Sequence, residues 1–211
     1  NTVFCDEVHK LMNQKSTNDK LTSMTTTLTF ISRISSPCNT LMEPGPNAIE
    51  LFDILQMAVH CPDHGRLQPW RFIIIQNEQR EKLGKLALQQ LLIEQQAASP
   101  MRIEKERTRF SFAPCIVAVV HSPKPHPKIP SIEQILSGGA VCMNLLHAAH
   151  QLGFGAQWLT GFSAYNKVVL KALGLAPEES ILGFIHIGSK SQEPKDRERP
   201  DIASLISEAS L

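Results

Sequence analysis

Apolar positions recur along this chain in blocks of two periods, and each block predicts an element. After Asn47, a good N-cap residue, Ile49, Phe52, Leu55, Met57 and Val59 return at helical spacing until Pro62 ends the helix. Arg71 to Gln76 is a short continuous apolar run and reads as a buried strand. Glu78 to Gln96 predicts a helix with Leu83, Leu86, Leu91 and Leu92 as its stripe. Cys115 to His121 is a second apolar strand, opened by Pro114. A long helix follows over Ile132 to Leu152, stopped by Gly153. Gly155 to Thr160 predicts a strand, Ser163 to Leu173 a short helix closed by Gly174, and Ile181 to Gly188 a last strand. Helices and strands interleave, so the class is α/β or α+β around a central sheet, with no internal repeat.

The pattern fails at the N-terminus. Residues 1–26 are polar and rich in Thr, Asn, Lys and Ser, and read as a disordered or appended segment. A folded domain is expected over residues 27–211. Between the second helix and second strand, Arg102 to Arg109 alternates with Glu104 and Glu106, which reads as a solvated helix face or a mobile segment. Ser122 to Pro130, with four prolines, reads as a rigid spacer or an active-site flap.

Charge and cysteine usage narrow the class. A formal net charge of +1 gives no electrostatic case for nucleic acid or an anionic membrane. The 5 cysteines are odd in number, dispersed and without a CxxC pair, which argues for reduced thiols. No apolar run reaches transmembrane length, and charges interrupt the N-terminal apolar residues. The expectation is a soluble cytoplasmic protein.

Candidate chemistry concentrates between Cys61 and Trp70, in Cys-Pro-Asp-His-Gly-Arg-Leu-Gln-Pro-Trp. His60, Cys61, Asp63 and His64 are potential metal ligands, but Pro62 forbids a helical ligand pair and no second cluster has ligand spacing, so no metal is expected. Cys61 near His64 is a conceivable thiolate–imidazole pair, against which stands a buried inert cysteine at a helix end. Gly153-Phe154-Gly155 opens a strand after a helix, the reverse of the dinucleotide-binding order, and Gly153 is equally a helix C-cap. Arg33-Ile34-Ser35 combines a guanidinium fork with a hydroxyl and suits a phosphate, although any such triplet can be an ordinary turn. Gly138-Gly139-Ala140 allows close approach of a helix or a ligand, and Trp70 and Trp158 could be core anchors.

Taken in order, these pieces form one series: Arg33-x-Ser35, Glu43-Pro44-Gly45-Pro46, Pro62-Asp63-His64-Gly65 to Gln68-Pro69-Trp70-Arg71-Phe72, Gly138-Gly139-Ala140 to Leu152-Gly153-Phe154-Gly155-Ala156, Trp158, Thr160-Gly161, and Leu182-Gly183-Phe184 to Ile187-Gly188. The series resembles the nitroreductase family of flavoenzymes, from about Thr27 to about Pro200. The resemblance implies an α+β fold with a mixed sheet flanked by helices, and an intertwined homodimer with FMN at the interface. It implies an oxidoreductase that takes electrons from NAD(P)H and passes them, in a ping-pong cycle, to a nitroaromatic or quinone-like acceptor.

By the same resemblance, Arg33, Ile34 and Ser35 fall at the FMN phosphate, and His60 and His64 reach the flavin across the dimer. Gln68 hydrogen-bonds near the ring or braces the loop. Trp158, Leu159 and Thr160 lie against the isoalloxazine. Ala148, Ala149, His150, Gln151, Leu152 and Gly153 fall on a stretch attributed to the nicotinamide nucleotide. Arg197 or Arg199 could add charge near the phosphate, on charge alone. No side chain is singled out as catalytic, since the chemistry would reside on the cofactor. Two departures remove fixed charge: Ile34 where relatives carry a second Arg, and His60 where an Arg is common. They motivate an alternative, a flavin-binding or flavin-sequestering protein with little turnover. A flavin-free dimeric scaffold is a third reading.

Overall fold

A computed structural model describes residues 31–209. The expectation for residues 1–26 lies outside the described residues, as do residues 27–30. The chain divides into two compact units. One is Ser35–Pro194; the other takes in the described residues 31–34 and 195–209, including a short 3-10 turn at Ile202–Leu205.

The larger unit carries β1 (Leu41–Met42), α1 (Ala48–Ala58), β2 (Trp70–Gln76), α2 (Glu78–Glu94), α3 (Pro100–Thr108), β3 (Cys115–His121), α4 (Ser131–Gln151), β4 (Gly155–Leu159), α5 (Phe162–Tyr165), α6 (Lys167–Ala172) and β5 (Ser180–Lys190). Asn47 starts α1 through a capping box. Its side chain accepts from the N–H groups of Ile49 and Glu50, at 2.9 and 3.0 Å, while the Glu50 carboxylate accepts from the Asn47 N–H at 2.8 Å. Ser99 and Pro100 open α3 in the same way, with Ser99 as cap and Pro100 in the first turn.

β3 is the centre, with every residue buried. It pairs with β2 on one side and β5 on the other, β4 pairs with β5, and β1 pairs with the end of β5. Alternation along β3 builds two cores. Cys115, Val117 and Val119 face α1 and α4, meeting Leu51, Ile54, Leu145 and Ile185. Ile116, Ala118 and Val120 face α2 and α6, meeting Leu83, Ala87, Val169 and Phe184. The class is therefore α+β, a sheet between two helical layers. The expected mixed sheet is not what forms: all four pairings among the described residues are antiparallel. β3, α4 and β4 make a crossover that leaves β3 and β4 parallel, but β5 lies between them and runs opposite to both.

Three other expectations change. On α1, Leu51, Ile54 and Ala58 are buried, whereas Ile49 and Phe52 are 74% and 64% exposed. Two stripes compete on that helix, and the one facing the sheet is the less bulky. The expected helix over 163–173 breaks at Asn166, whose extended ψ of 120° ends α5 and whose side chain caps α6 by accepting from the Val169 N–H at 2.9 Å. The charged segment is a helix with one buried edge: Glu106 and Arg109 are 2% and 8% exposed and pair with each other at 2.9 Å.

Candidate functional site

The Pro-punctuated loop before β2 is organised by Asp63. Its carboxylate accepts from the N–H groups of Leu67 and Gln68, at 3.1 and 2.9 Å, and its carbonyl from the Arg66 N–H at 3.0 Å. The turn carries Gly65, Arg66 and Gln68 at φ values of 70°, 54° and 48°, a left-handed run that only Gly65 adopts without cost. A Cβ at Gly65 would also stand 2.7 Å from Ile129 Cδ1.

A row of polar side chains on α4 fastens this loop. Ser137 is the hub: its hydroxyl donates to the Pro62 carbonyl at 2.7 Å and accepts from Trp70 Nε1 at 3.1 Å. Cys61 Sγ lies 3.8 Å from the same hydroxyl. One turn earlier, Glu133 Oε2 meets His64 Nδ1 at 2.6 Å. Farther on, Asn144 Nδ2 donates to the carbonyls of Ala58 and His60, at 3.2 and 2.9 Å. The adjoining Pro-rich loop is tied to α4 as well, for Gln134 exchanges two hydrogen bonds with the Lys124 backbone, at 2.9 and 2.8 Å.

His60, His64 and Gln68 are exposed along this loop. Cys61 is half-buried, and burial raises its pKa above the ordinary thiol value. With His64 held by Glu133, the thiolate–imidazole pair does not form. No group of three or more metal-ligating side chains occurs among the described residues.

Trp158 is seated on β5 by glycine. Its indole lies across Gly183 of β5, where a Cβ would stand 2.0 Å from Nε1, and Nε1 donates to the Leu182 carbonyl at 3.0 Å. Leu182 in turn fills the gap left by Gly138, 2.2 Å from the Cβ that residue lacks, with the Trp70 ring at 3.9 Å. Gly138 therefore serves packing, while the neighbouring Gly139 looks onto open space. Trp158 itself stays 38% exposed, and Leu159 and Thr160 are half-buried beside it. A chain of contacts thus runs from Pro62 through Ser137 to Trp70, and from Gly138 through Leu182 to Trp158.

The stretch Ala148 to Gly153 is not brought there. Ala148 and Ala149 are 3% and 0% exposed and belong to the core beneath the sheet. His150, Gln151, Leu152 and Gly153 lie at the far end of α4, about 20 Å along its axis from Ser137. Gly153 is a C-cap at φ 86°, the simpler of its two readings.

In the smaller unit, Arg33 lies within electrostatic reach of Arg197 and Arg199. Burial first, then Arg199 and Arg197, push the Arg33 pKa down, and Asp196 opposes them. Asp196 is itself held below the usual carboxylate range, chiefly by the Arg199 guanidinium, and accepts from the Arg197 N–H at 2.8 Å. Guanidinium groups of this kind suit an anion such as a phosphate. Ile34 beside them carries none. Ser35 belongs to the larger unit.

The sequence offered Asp63 only as a potential metal ligand, not as the loop's organiser, and gave no role to Glu133, Ser137 and Asn144. The last three do leave a signal: spaced by four and seven, they are polar positions on one face of an otherwise apolar helix.

The sequence pattern of the nitroreductase family matches residues 42–189. YdjA of Escherichia coli (strain K12), whose name assigns it provisionally as an NAD(P)H nitroreductase, is 33% identical over 149 residues, covering 71% of this chain and 80% of its own. Among solved structures, the nitroreductase-like family protein of Bacillus cereus superposes with a TM-score of 0.74 at 23% identity, over 91% of this chain and 97% of its own. A nitroreductase of Desulfovibrio desulfuricans in complex with FMN superposes with a TM-score of 0.68 at 21% identity, over 92% and 99%. Fold and sequence agree: this chain belongs to the nitroreductase family.

Proposed function

We propose that this protein is a homodimeric, FMN-dependent oxidoreductase that takes electrons from NAD(P)H and delivers them to a small nitroaromatic or quinone-like acceptor in a ping-pong cycle. The observation that carries the reading is the gathering of Arg33, Arg197 and Arg199 around one carboxylate, a basic cradle in a family whose structures include an FMN complex. A lone phosphate has the charge and the acceptor oxygens to complete it.

The residues fit the rest of the cofactor. Trp158 offers a half-exposed aromatic edge seated on Gly183. When bound, FMN supplies hydride chemistry at its ring between nicotinamide and acceptor. The chain's part is positioning. Arg33, Arg197 and Arg199 would hold the phosphate. Trp158 to Thr160 set the plane of the ring. The His64–Glu133 pair and the Ser137 hub fix the loop before β2, and His64 or solvent would supply protons to the acceptor.

The dimer is supported by large apolar side chains left in water on two helices packed together: Ile49 and Phe52 on α1, Ile132 and Leu136 on α4, all between 58% and 74% exposed. Two features agree with a cytoplasmic setting. The four described cysteines are free, and no described helix is long and apolar enough to cross a membrane.

A second reading, a flavin-sequestering protein, is favoured by the uncharged Ile34 and by His60, whose carbonyl is held by Asn144 while its side chain stays exposed. The absorbance spectrum of the purified protein separates the two. A flavin band that bleaches with NADPH without oxygen and returns on adding a nitroaromatic supports the enzyme. A band that NAD(P)H cannot bleach supports sequestration. A colourless protein that takes up no FMN overturns both.

A further inference from the structure

The β4–α5 turn is gripped from beneath by a buried ion pair that nothing in the proposed mechanism uses. Arg109, at the end of α3, is 8% exposed, and Glu106 is 2% exposed. Arg109 Nε donates to Glu106 Oε2 at 2.9 Å and Nη1 donates to the Thr160 carbonyl at 2.8 Å. The other Glu106 oxygen accepts from the Ser163 hydroxyl in a short hydrogen bond. Both flanks of the turn are thus fastened to one guanidinium–carboxylate unit. Between them Gly161 sits at φ 103°, and a Cβ there would stand 2.8, 3.1 and 3.3 Å from Arg109 Nη2, Cζ and Nη1. The guanidinium lies directly against the glycine backbone, so only glycine fits.

Such a unit is poor value as a stabiliser. Desolvating two charges offsets most of their attraction, and buried pairs are often replaceable by apolar residues at no loss of stability. What the pair does supply is a fixed place and polarity for one peptide group. In a trans peptide, C=O and N–H point in opposite directions. With the Thr160 carbonyl drawn onto Arg109, the Gly161 N–H is turned away from the ion pair, and the hydrogen bond polarises it as a donor.

We propose that Arg109 and Glu106 are positioning residues for the ring-facing turn Thr160–Ser163, holding the Thr160–Gly161 peptide so that it favours the electron-rich form of the cofactor. This rests on the reading that Trp158 to Thr160 lie against a flavin. Oriented donors of this kind stabilise negative charge as it develops.

The decisive variant replaces both charges at similar volume, Glu106→Leu with Arg109→Met. It should fold with a wild-type melting temperature or higher. Hydrogen exchange of residues 160–163, measured in the cofactor-free protein, should rise at least tenfold. FMN should bind its reduced form at least tenfold less favourably relative to the oxidised form, a midpoint potential lower by about 30 mV. Arg109→Lys, which can reach either Glu106 or Thr160 but not both, should fall between. A folded double variant with wild-type exchange and wild-type potential overturns the proposal. If the double variant does not fold, Ser163→Ala removes one flank alone and should raise exchange about threefold; unchanged exchange then overturns it. A wild-type protein that takes up no FMN defeats the functional reading, while exchange in that same protein still decides whether the pair positions the turn.

Discussion

Trp158 occupies the space that a side chain at residue 183 would fill, with its Nε1 2.0 Å from the missing Cβ and 3.0 Å from the Leu182 carbonyl. Gly183→Ala must therefore lift the indole off the sheet. The expected result is a shift in tryptophan fluorescence, a loss of stability of about 1–3 kcal/mol from overpacking, and at least tenfold weaker FMN binding. Fluorescence, a urea melt and a flavin titration on one preparation check all three. Unchanged fluorescence would show that the contact is not kept in solution.

His64 and Glu133 form a half-exposed pair, so their mutual attraction contributes little to folding. His64→Ala should cost under about 1 kcal/mol in a urea melt. Its expected effect lies in FMN affinity or in flavin potential, since the pair fixes the loop before β2. Wild-type values in both would remove His64 from the site.

His186 is fully buried on β5 and stacks on Phe110, with ring centroids 6.0 Å apart. Burial, helped by the Arg109 charge, pushes its pKa down to about 3. Because the folded value lies below the ordinary 6.5, the unfolded chain takes up the proton first as pH falls. The folded state therefore loses stability from about pH 6.5 downward until pH nears 3. At 1.36 kcal/mol per unit, lowering the pH from 6.5 to 5 should cost about 2 kcal/mol. His121, also pushed down by burial, adds to the same slope. Denaturant midpoints at the two pH values measure the loss. His186→Phe should flatten most of it, and an unaltered slope would rule out His186 as its source.

Glu179 holds the segment before β5. It accepts from Arg71 Nε and Nη2 at 2.7 and 2.6 Å and from the Ala176 N–H at 3.0 Å. Those hydrogen bonds, the Arg71 contacts foremost, hold its carboxyl down at about 2. A depressed carboxyl stabilises the fold above its unfolded value, and that contribution is lost as pH drops from about 4.5 to 2, below most of the His186 window. Glu179→Gln should cost about 2–3 kcal/mol at neutral pH, read from a urea melt, and should remove this acid-limb slope.

Phe52 is 64% exposed on a helix whose inner stripe is already satisfied by Leu51 and Ile54. Phe52→Glu should leave the circular dichroism spectrum unchanged and convert a dimer to a monomer in sedimentation. A persistent dimer would move the interface elsewhere.

Local chemistry was readable in the sequence where a residue acts on its near neighbours. Asn47 capping α1, Gly153 ending α4 and the apolar run of β3 all follow from contacts within a few positions. The competing stripes of α1 were not resolvable, because Ile49 and Phe52 are as apolar as the residues that point inward. The ion pair of Glu106 with Arg109 was hidden inside a charged run for the same reason. Only Ser163, 57 positions away, distinguishes a buried carboxylate from a solvated one. The loop around Asp63 could be located but not interpreted, since the residues that fasten it lie 67 to 84 positions downstream on α4.

The insertion of β5 between β3 and β4 has a kinetic side. Among the described residues, β4 pairs with β5 alone, and β3 has β5 along its second edge. On a ribosome, a chain that has emerged only as far as α6 holds two strand edges apart with nothing to join them. Closure of the sheet must await the last strand, and contacts of such long sequence separation slow folding. The interval before Ser180–Lys190 emerges is when exposed strand edges are open to pairing with other chains, and so when this protein is most in need of a chaperone.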